Sequence, residues 1–116
     1  MTDIKRPENS HKAYHAHVYF NEESKVLARR LCQEAAETFG LKVGRFYEKL
    51  VGPHPCWSCQ ITFGARDFEN FIPWLDEKRG YLTVFVHALT GNDFLDHTEF
   101  AYWLGVPVEL DLSIFE

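Results

Sequence analysis

The segment Tyr14-His15-Ala16-His17-Val18-Tyr19-Phe20 places two imidazoles and a phenol at alternate positions. Side chains of a β-strand point to opposite faces with a period of two, so His15, His17 and Tyr19 share one face and Ala16, Val18 and Phe20 the other. A rise of roughly 3.4 Å per residue sets the two histidines about 6.8 Å apart along the strand. Such a pair can share a metal if the strand twists, or one ring can bind while its neighbour moves protons. An isolated H-x-H is more simply a pair of surface histidines. Three further histidines bear on the choice: His54 in Gly52-Pro53-His54-Pro55, His87 at the end of Tyr81–His87, and His97 beside Asp96. His11 lies in the polar N-terminal stretch and receives no role.

Those residues need elements to position them. Tyr14–Phe20 is a first strand. Asn21, followed by two glutamates, caps a helix whose apolar stripe is Leu27, Leu31, Ala35 and Phe39, and Gly40 stops it. Residues 41–48 alternate weakly and suit an edge strand, because Lys42, Gly44 and Arg45 interrupt them. Trp57–Phe63 is a third strand with Cys59, Ile61 and Phe63 on one face. Asp67 starts a second helix carrying Phe68, Phe71, Ile72 and Leu75, which Pro73 should delay, kink or split. Tyr81–His87 is a fourth strand. Thr90–Asp93 is a turn that caps a short third helix reaching Leu104. Val108, Leu110 and Leu112 alternate with acids, as in a further strand.

The order β-α-β-β-α-β predicts an α+β, ferredoxin-like domain with an antiparallel sheet and both helices on one face, plus a short C-terminal helix and tail. Residues 1–116 then form one domain, with residues 1–12 as a loose arm. In this reading the first and third strands run parallel at the centre, which brings His54 to the same corner as His15, His17 and His87. The remaining aromatic face, with Tyr19 and Phe85, calls for a cover from the C-terminal segment or a second subunit.

Four histidines from three regions on one corner suggest a metal site for Fe, Zn, Cu or Ni. Two histidines and a carboxylate with open positions suit non-haem Fe(II) and oxygen chemistry. The carboxylate candidates are Glu48, Asp93, Asp96 and Glu99, and an all-histidine site is equally open. Cys56 and Cys59 match C-x-x-C, but residues three apart on a strand face opposite ways, so Cys59 reads as core and Cys56 as a loop residue near the site. Cys32 reads as buried on the first helix.

The formal charge of −5 disfavours nucleic-acid and anionic-membrane partners. No apolar run approaches the length of a membrane span, and Met1–Lys12 lacks the apolar core of a secretory signal. Three cysteines, an odd number, fit a reducing cytoplasm. Aromatic residues make up 16% of the chain, enough to fill a core and still line a pocket.

Read together, YHAHVYF at Tyr14–Phe20, GPHP at Gly52–Pro55, LTVFVH at Leu82–His87 and LTGNDFLDHTEFAYWLG at Leu89–Gly105 resemble the DOPA 4,5-dioxygenase family. The resemblance implies a ferredoxin-like fold, a homodimer, and extradiol cleavage of 3,4-dihydroxyphenyl compounds with Fe(II) and O2. It makes His15, His17, His54 and His87 motif histidines and puts His97 in the DHT segment. The expectation is His17, His54 and His87 as metal ligands, His15 and His97 as catalytic groups, and Tyr19, Trp57, Gln60 and Phe85 around a catechol. Zn or another divalent ion could replace iron in a purified sample. The competing class is a non-catalytic dimeric module that binds a small molecule or a metal on the same fold.

Overall fold

The computed structural model describes residues 5–115. Five strands form one sheet: β1 (Ala13–Phe20), β2 (Lys42–Tyr47), β3 (Trp57–Gly64), β4 (Val84–Ala88) and β5 (Ala101–Leu104), in the order β2-β3-β1-β4-β5. Every neighbouring pair is antiparallel. The helices α1 (Lys25–Phe39) and α2 (Ala65–Lys78) pack on one face, which is the ferredoxin-like arrangement with one strand added beyond β4.

The apolar alternation chose that face. Ala16, Val18 and Phe20 of β1 join Ile61 and Phe63 of β3, Val84 and Val86 of β4, and Ala28, Leu31, Ala35, Phe68, Phe71 and Leu75 of the helices in one buried cluster. Each large side chain buried there contributes roughly 1.5–3 kcal/mol.

Local chemistry sets the ends of the elements. Asn21 does not cap α1 directly. Its Oδ1 accepts from the Ser24 backbone N–H at 3.0 Å while its own N–H donates to Ser24 Oγ at 2.9 Å. This reciprocal turn delays the helix to Lys25. Gly40, at φ 67°, closes α1 in the left-handed conformation. Asp67 Oδ2 accepts from the Gly64 N–H at 3.0 Å and fixes the start of α2. The helix runs unbroken through Pro73. Pro73 and Glu69 both lie on its exposed side, so water can satisfy the carbonyl the proline leaves without a partner.

Three expectations are corrected. First, β1 and β3 are antiparallel, not parallel. Second, the helix expected to reach Leu104 is α3 (Asp93–Asp96), and Ala101–Leu104 pairs instead with the free edge of β4. Tyr102 and Leu104 enter the helix-side core while Ala101 and Trp103 face the other way, a period of two that the helical reading overlooked. Third, residues 107–111 form no strand, and the chain ends in a 3-10 turn over Leu112–Phe115.

The N-terminal stretch was expected to be a loose arm. Residues 1–4 lie outside the described residues. From Lys5 onward the chain is tied down: the Trp103 N–H donates to the Lys5 carbonyl at 2.9 Å, Arg6 pairs with Asp76 at 2.6 Å, and the buried Tyr14 hydroxyl bonds to Asn9 Oδ1 at 3.0 Å. Among the described residues, no helix is long and apolar enough to cross a membrane.

Candidate metal and catalytic site

The helix-free face of the sheet carries the histidines. His15 of β1 sits directly opposite His87 of β4, and His17 lies between Phe85 of β4 and Gln60 of β3. The His15 and His17 rings are 5.7 Å apart and perpendicular, while His17 and His87 stack at 5.0 Å. His17 Nε2 and His87 Nε2 approach to 2.9 Å. His87 Nδ1–H donates to its neighbouring Ala88 carbonyl at 2.8 Å, so its Nε2 keeps a lone pair directed at His17. One donor atom each from His15, His17 and His87 lies within 4.8 Å of the other two.

His54 joins them by a route the parallel topology had wrong. With β3 antiparallel to β1, the segment before Trp57 starts at the far end, near Phe20. The Gly52–Pro55 turn bends back over the sheet. It stacks the His54 ring 4.1 Å from His17 and brings His54 Nδ1 within 2.7 Å of the Tyr19 hydroxyl. A backbone hydrogen bond from the Asp111 N–H to the Pro53 carbonyl, 2.8 Å, holds the turn from the C-terminal side.

His97 arrives from α3, its ring 4.2 Å from His87, and its Nδ1–H donates to the Asp93 carbonyl at 2.7 Å. The element that aims it is a turn locked by Asp96, which is 2% exposed and accepts from Thr90 Oγ1 at 2.6 Å and Thr90 N–H at 3.0 Å.

Burial decides the protonation of this cluster. His17 is held well below the ordinary imidazole value of 6.5, first by desolvation and then by the neighbouring His54, His87 and His15. Desolvation also pushes His87 down to about 3 and His54 to about 4. His15 is lowered by burial and by His97, against a small opposing pull from Asp96. These four rings are therefore neutral near pH 7, with lone pairs available. Burial, and then Cys56, raises the Tyr19 hydroxyl, so it stays protonated. Among the described residues its hydrogen bond goes to His54 Nδ1 alone, which makes Tyr19 the donor there.

The donor set fits a divalent ion. Two Nε2 atoms 2.9 Å apart match neighbouring ligands at right angles around a metal with bonds of about 2.1 Å, which lie roughly 3.0 Å apart. A cavity of about 250 Å³ opens over the rings, lined also by Pro53, Gln60, Asp93 and Phe115. A larger one of about 660 Å³, walled by Ala101, Trp103, Leu110 and Leu112, meets it at His97.

Of the expected pocket residues, Tyr19, Gln60 and Phe85 lie at the site, Phe85 beneath the His17, His87 and His97 rings. Trp57 does not. It pairs with Phe20 and packs edge-on against it at 5.9 Å on the helix side. Alternation from Cys59 already puts Trp57 on that face. Glu48 is bound to Lys25 at 3.4 Å, away from the histidines. The ring of Phe115, 4.7 Å from His97, gave no signal in the sequence.

The C-terminal segment covers this face, with Val108 and Leu110 against Tyr19, Phe85 and Ala101. A sequence model described as the Dopa 4,5-dioxygenase family matches residues 14–114. The chain belongs to that family. A 21.2 kDa uncharacterized protein of Botryotinia fuckeliana is 35% identical across 88% of this chain and 62% of its own length. The DOPA 4,5-dioxygenase of Amanita muscaria is 29% identical across 88% of this chain and 49% of its own. The chain thus spans about half to three-fifths of these curated relatives. A crystal structure of a provisionally assigned dioxygenase from Nostoc punctiforme PCC 73102 superposes with a TM-score of 0.84 at 35% identity, covering 87% of this chain and 88% of that one. Membership joins the dioxygenase family's fold to a histidine cluster able to hold a divalent metal.

Proposed function

We propose that this protein is an extradiol-type dioxygenase that opens the ring of a catechol, such as DOPA or a related 3,4-dihydroxyphenyl compound, with Fe(II) and O2. The observation that carries the reading is the cluster of His15, His17 and His87 donors, built in a member of this family. The geometry favours those three as ligands, so His15 and His54 exchange the roles expected from the sequence. Bound there, Fe(II) would hold the two catechol oxygens beside O2 and supply the electron transfer that ring opening needs.

The chain's own groups handle position and protons. His97 Nδ1 is committed to the Asp93 carbonyl, which leaves its Nε2 as an acceptor at the meeting of the two cavities. It takes a catechol hydroxyl proton. His54 accepts at Nδ1 from Tyr19, so its ring proton sits on Nε2. That N–H is a donor for a catechol oxygen, with Tyr19 holding the ring in this tautomer, and the proton taken by His97 is returned from His97 itself. Gln60 lines the cavity over the rings, Phe85 supports those rings from beneath, and the Trp103 cavity gives the substrate's side chain room. The homodimer and the cytoplasmic location rest on the family resemblance and the cysteine count, and sedimentation velocity tests the former.

Anaerobic loading with Fe(II), followed by a catechol panel in air, is the deciding experiment. A new yellow absorbance that requires both iron and O2, with matching oxygen uptake, supports ring cleavage. Tight catechol binding without oxygen uptake returns the protein to the class of binding modules.

A further inference from the structure

A second reactive cluster lies on the other side of the sheet. The C-x-x-C cysteines do not meet: Cys56 packs on the histidine face, whereas Cys59 points under the helices. The cysteine beside Cys59 is Cys32, one residue beyond Leu31 in the buried stripe of α1: the two share one buried cluster and line one cavity. Both are buried and neither is in a disulfide. Cys59 also reaches the Gly44 carbonyl, Sγ to O 3.8 Å. A cavity of about 220 Å³ is lined by both sulfurs' residues and by Gly44, Phe46 and Arg29. It lies beneath β2, where the pairing with β3 shifts register between Val43 and Phe46. Arg29 stands at its rim with its guanidinium 4.4 Å from the Phe46 ring centre.

From this juxtaposition we propose that Cys32 and Cys59 are an oxidative modification site, closed to an intramolecular disulfide by a small peroxide that enters the cavity under β2. The volume admits hydrogen peroxide, a molecule little larger than water. Cys59 is the attacking sulfur, because Arg29 lines the same cavity and its charge favours the Cys59 thiolate. The thiolate takes one peroxide oxygen as the O–O bond breaks, and water leaves with a proton from solvent. The resulting sulfenic acid is attacked by the Cys32 sulfur, which loses its proton, and a second water departs. Two thiols are oxidised by two electrons and one peroxide is reduced to two waters. A thiol reductant reverses the step. The linkage ties α1 to β3 across the mouth of the cavity. It leaves the histidine face untouched, so the site stands apart from the proposed catalysis.

Sequence makes the test direct. Trypsin places Cys32 in the peptide 31–42 and Cys56 with Cys59 in the peptide 50–66. Protein exposed to hydrogen peroxide, alkylated and digested should show these two peptides joined, with one alkylated cysteine left and two thiols restored by dithiothreitol. Cys56→Ser should give the same linkage, while Cys32→Ala should not. Circular dichroism of each variant checks folding, and the wild-type linkage map stands even if a variant misfolds. Three alkylated cysteines after peroxide, a link to Cys56, a link between chains, or overoxidation of Cys59 without a link would each overturn the proposal.

Discussion

At the residue scale, hydrogen bonds settle in advance which nitrogen each histidine offers. His87 and His97 spend Nδ1 on backbone carbonyls, whereas His54 uses Nδ1 to accept from Tyr19. Replacing His17 or His87 by Ala should therefore abolish stoichiometric iron, measured by elemental analysis after desalting. His97→Ala should retain the metal and slow turnover by roughly 10²–10⁴-fold. Loss of iron in His97→Ala would remove it from the proton-transfer role. The same burial predicts an acid response in chelator-treated protein. The folded values of His54, about 4, and His87, about 3, lie below the ordinary 6.5, so the unfolded chain binds protons first as pH falls. The stability these neutral rings contribute is complete above about 6.5 and is lost downward toward 4 and then 3. Urea midpoints at pH 7, 5 and 4 should fall steadily, and His54→Gln should flatten the slope. Alternation alone made His15, His17 and His87 legible in the sequence, since period-two placement survives errors of topology. His54 was named for a strand direction that is wrong, and reaches the cluster because its turn folds back.

At the scale of elements, the sheet and two long helices were readable because each apolar face repeats with its element's own period. β5 was not, because its four residues follow a true cap and short helix, and pairing with the open edge of β4 outweighs continued helix. The C-terminal segment was likewise unreadable as a local pattern. It holds its path through the Asp111–Pro53 hydrogen bond and the contacts of Val108 and Leu110, none of which is local. Its route starts at Gly105, which ends β5 at φ 86°. A Cβ there would lie 2.9 Å from Arg79 Nη1 and 3.1 Å from the Leu82 carbonyl oxygen. Arg79 can swing aside, but the backbone oxygen and the left-handed φ remain. Gly105→Ala should cost about 1–3 kcal/mol, read as a lower urea midpoint with unchanged slope. An unchanged midpoint would mean that the turn relaxes freely and does not set the path of the cover.

At the scale of the whole molecule, one sheet divides two kinds of interior. The helix side is apolar and carries the stability. The histidine side buries neutral imidazoles against each other, where the lone pairs of His87 and His54 meet His17 and the Tyr19 hydroxyl. A ligand that binds only the folded cluster stabilises the chain by mass action. At a free concentration a hundred times its dissociation constant, a divalent metal should add about 2.7 kcal/mol. For a domain of this size that is a rise in Tm on the order of 10 °C. Zn(II), which avoids oxidation during heating, is the practical probe, with the same imidazole preference. The wild type should show the rise, growing with the logarithm of metal concentration. His17→Ala should melt at a temperature independent of metal, because the ring at the centre of the cluster is gone. A wild-type Tm that ignores the metal would remove the metal centre, and with it the ring-cleavage chemistry, while leaving the fold and the family untouched.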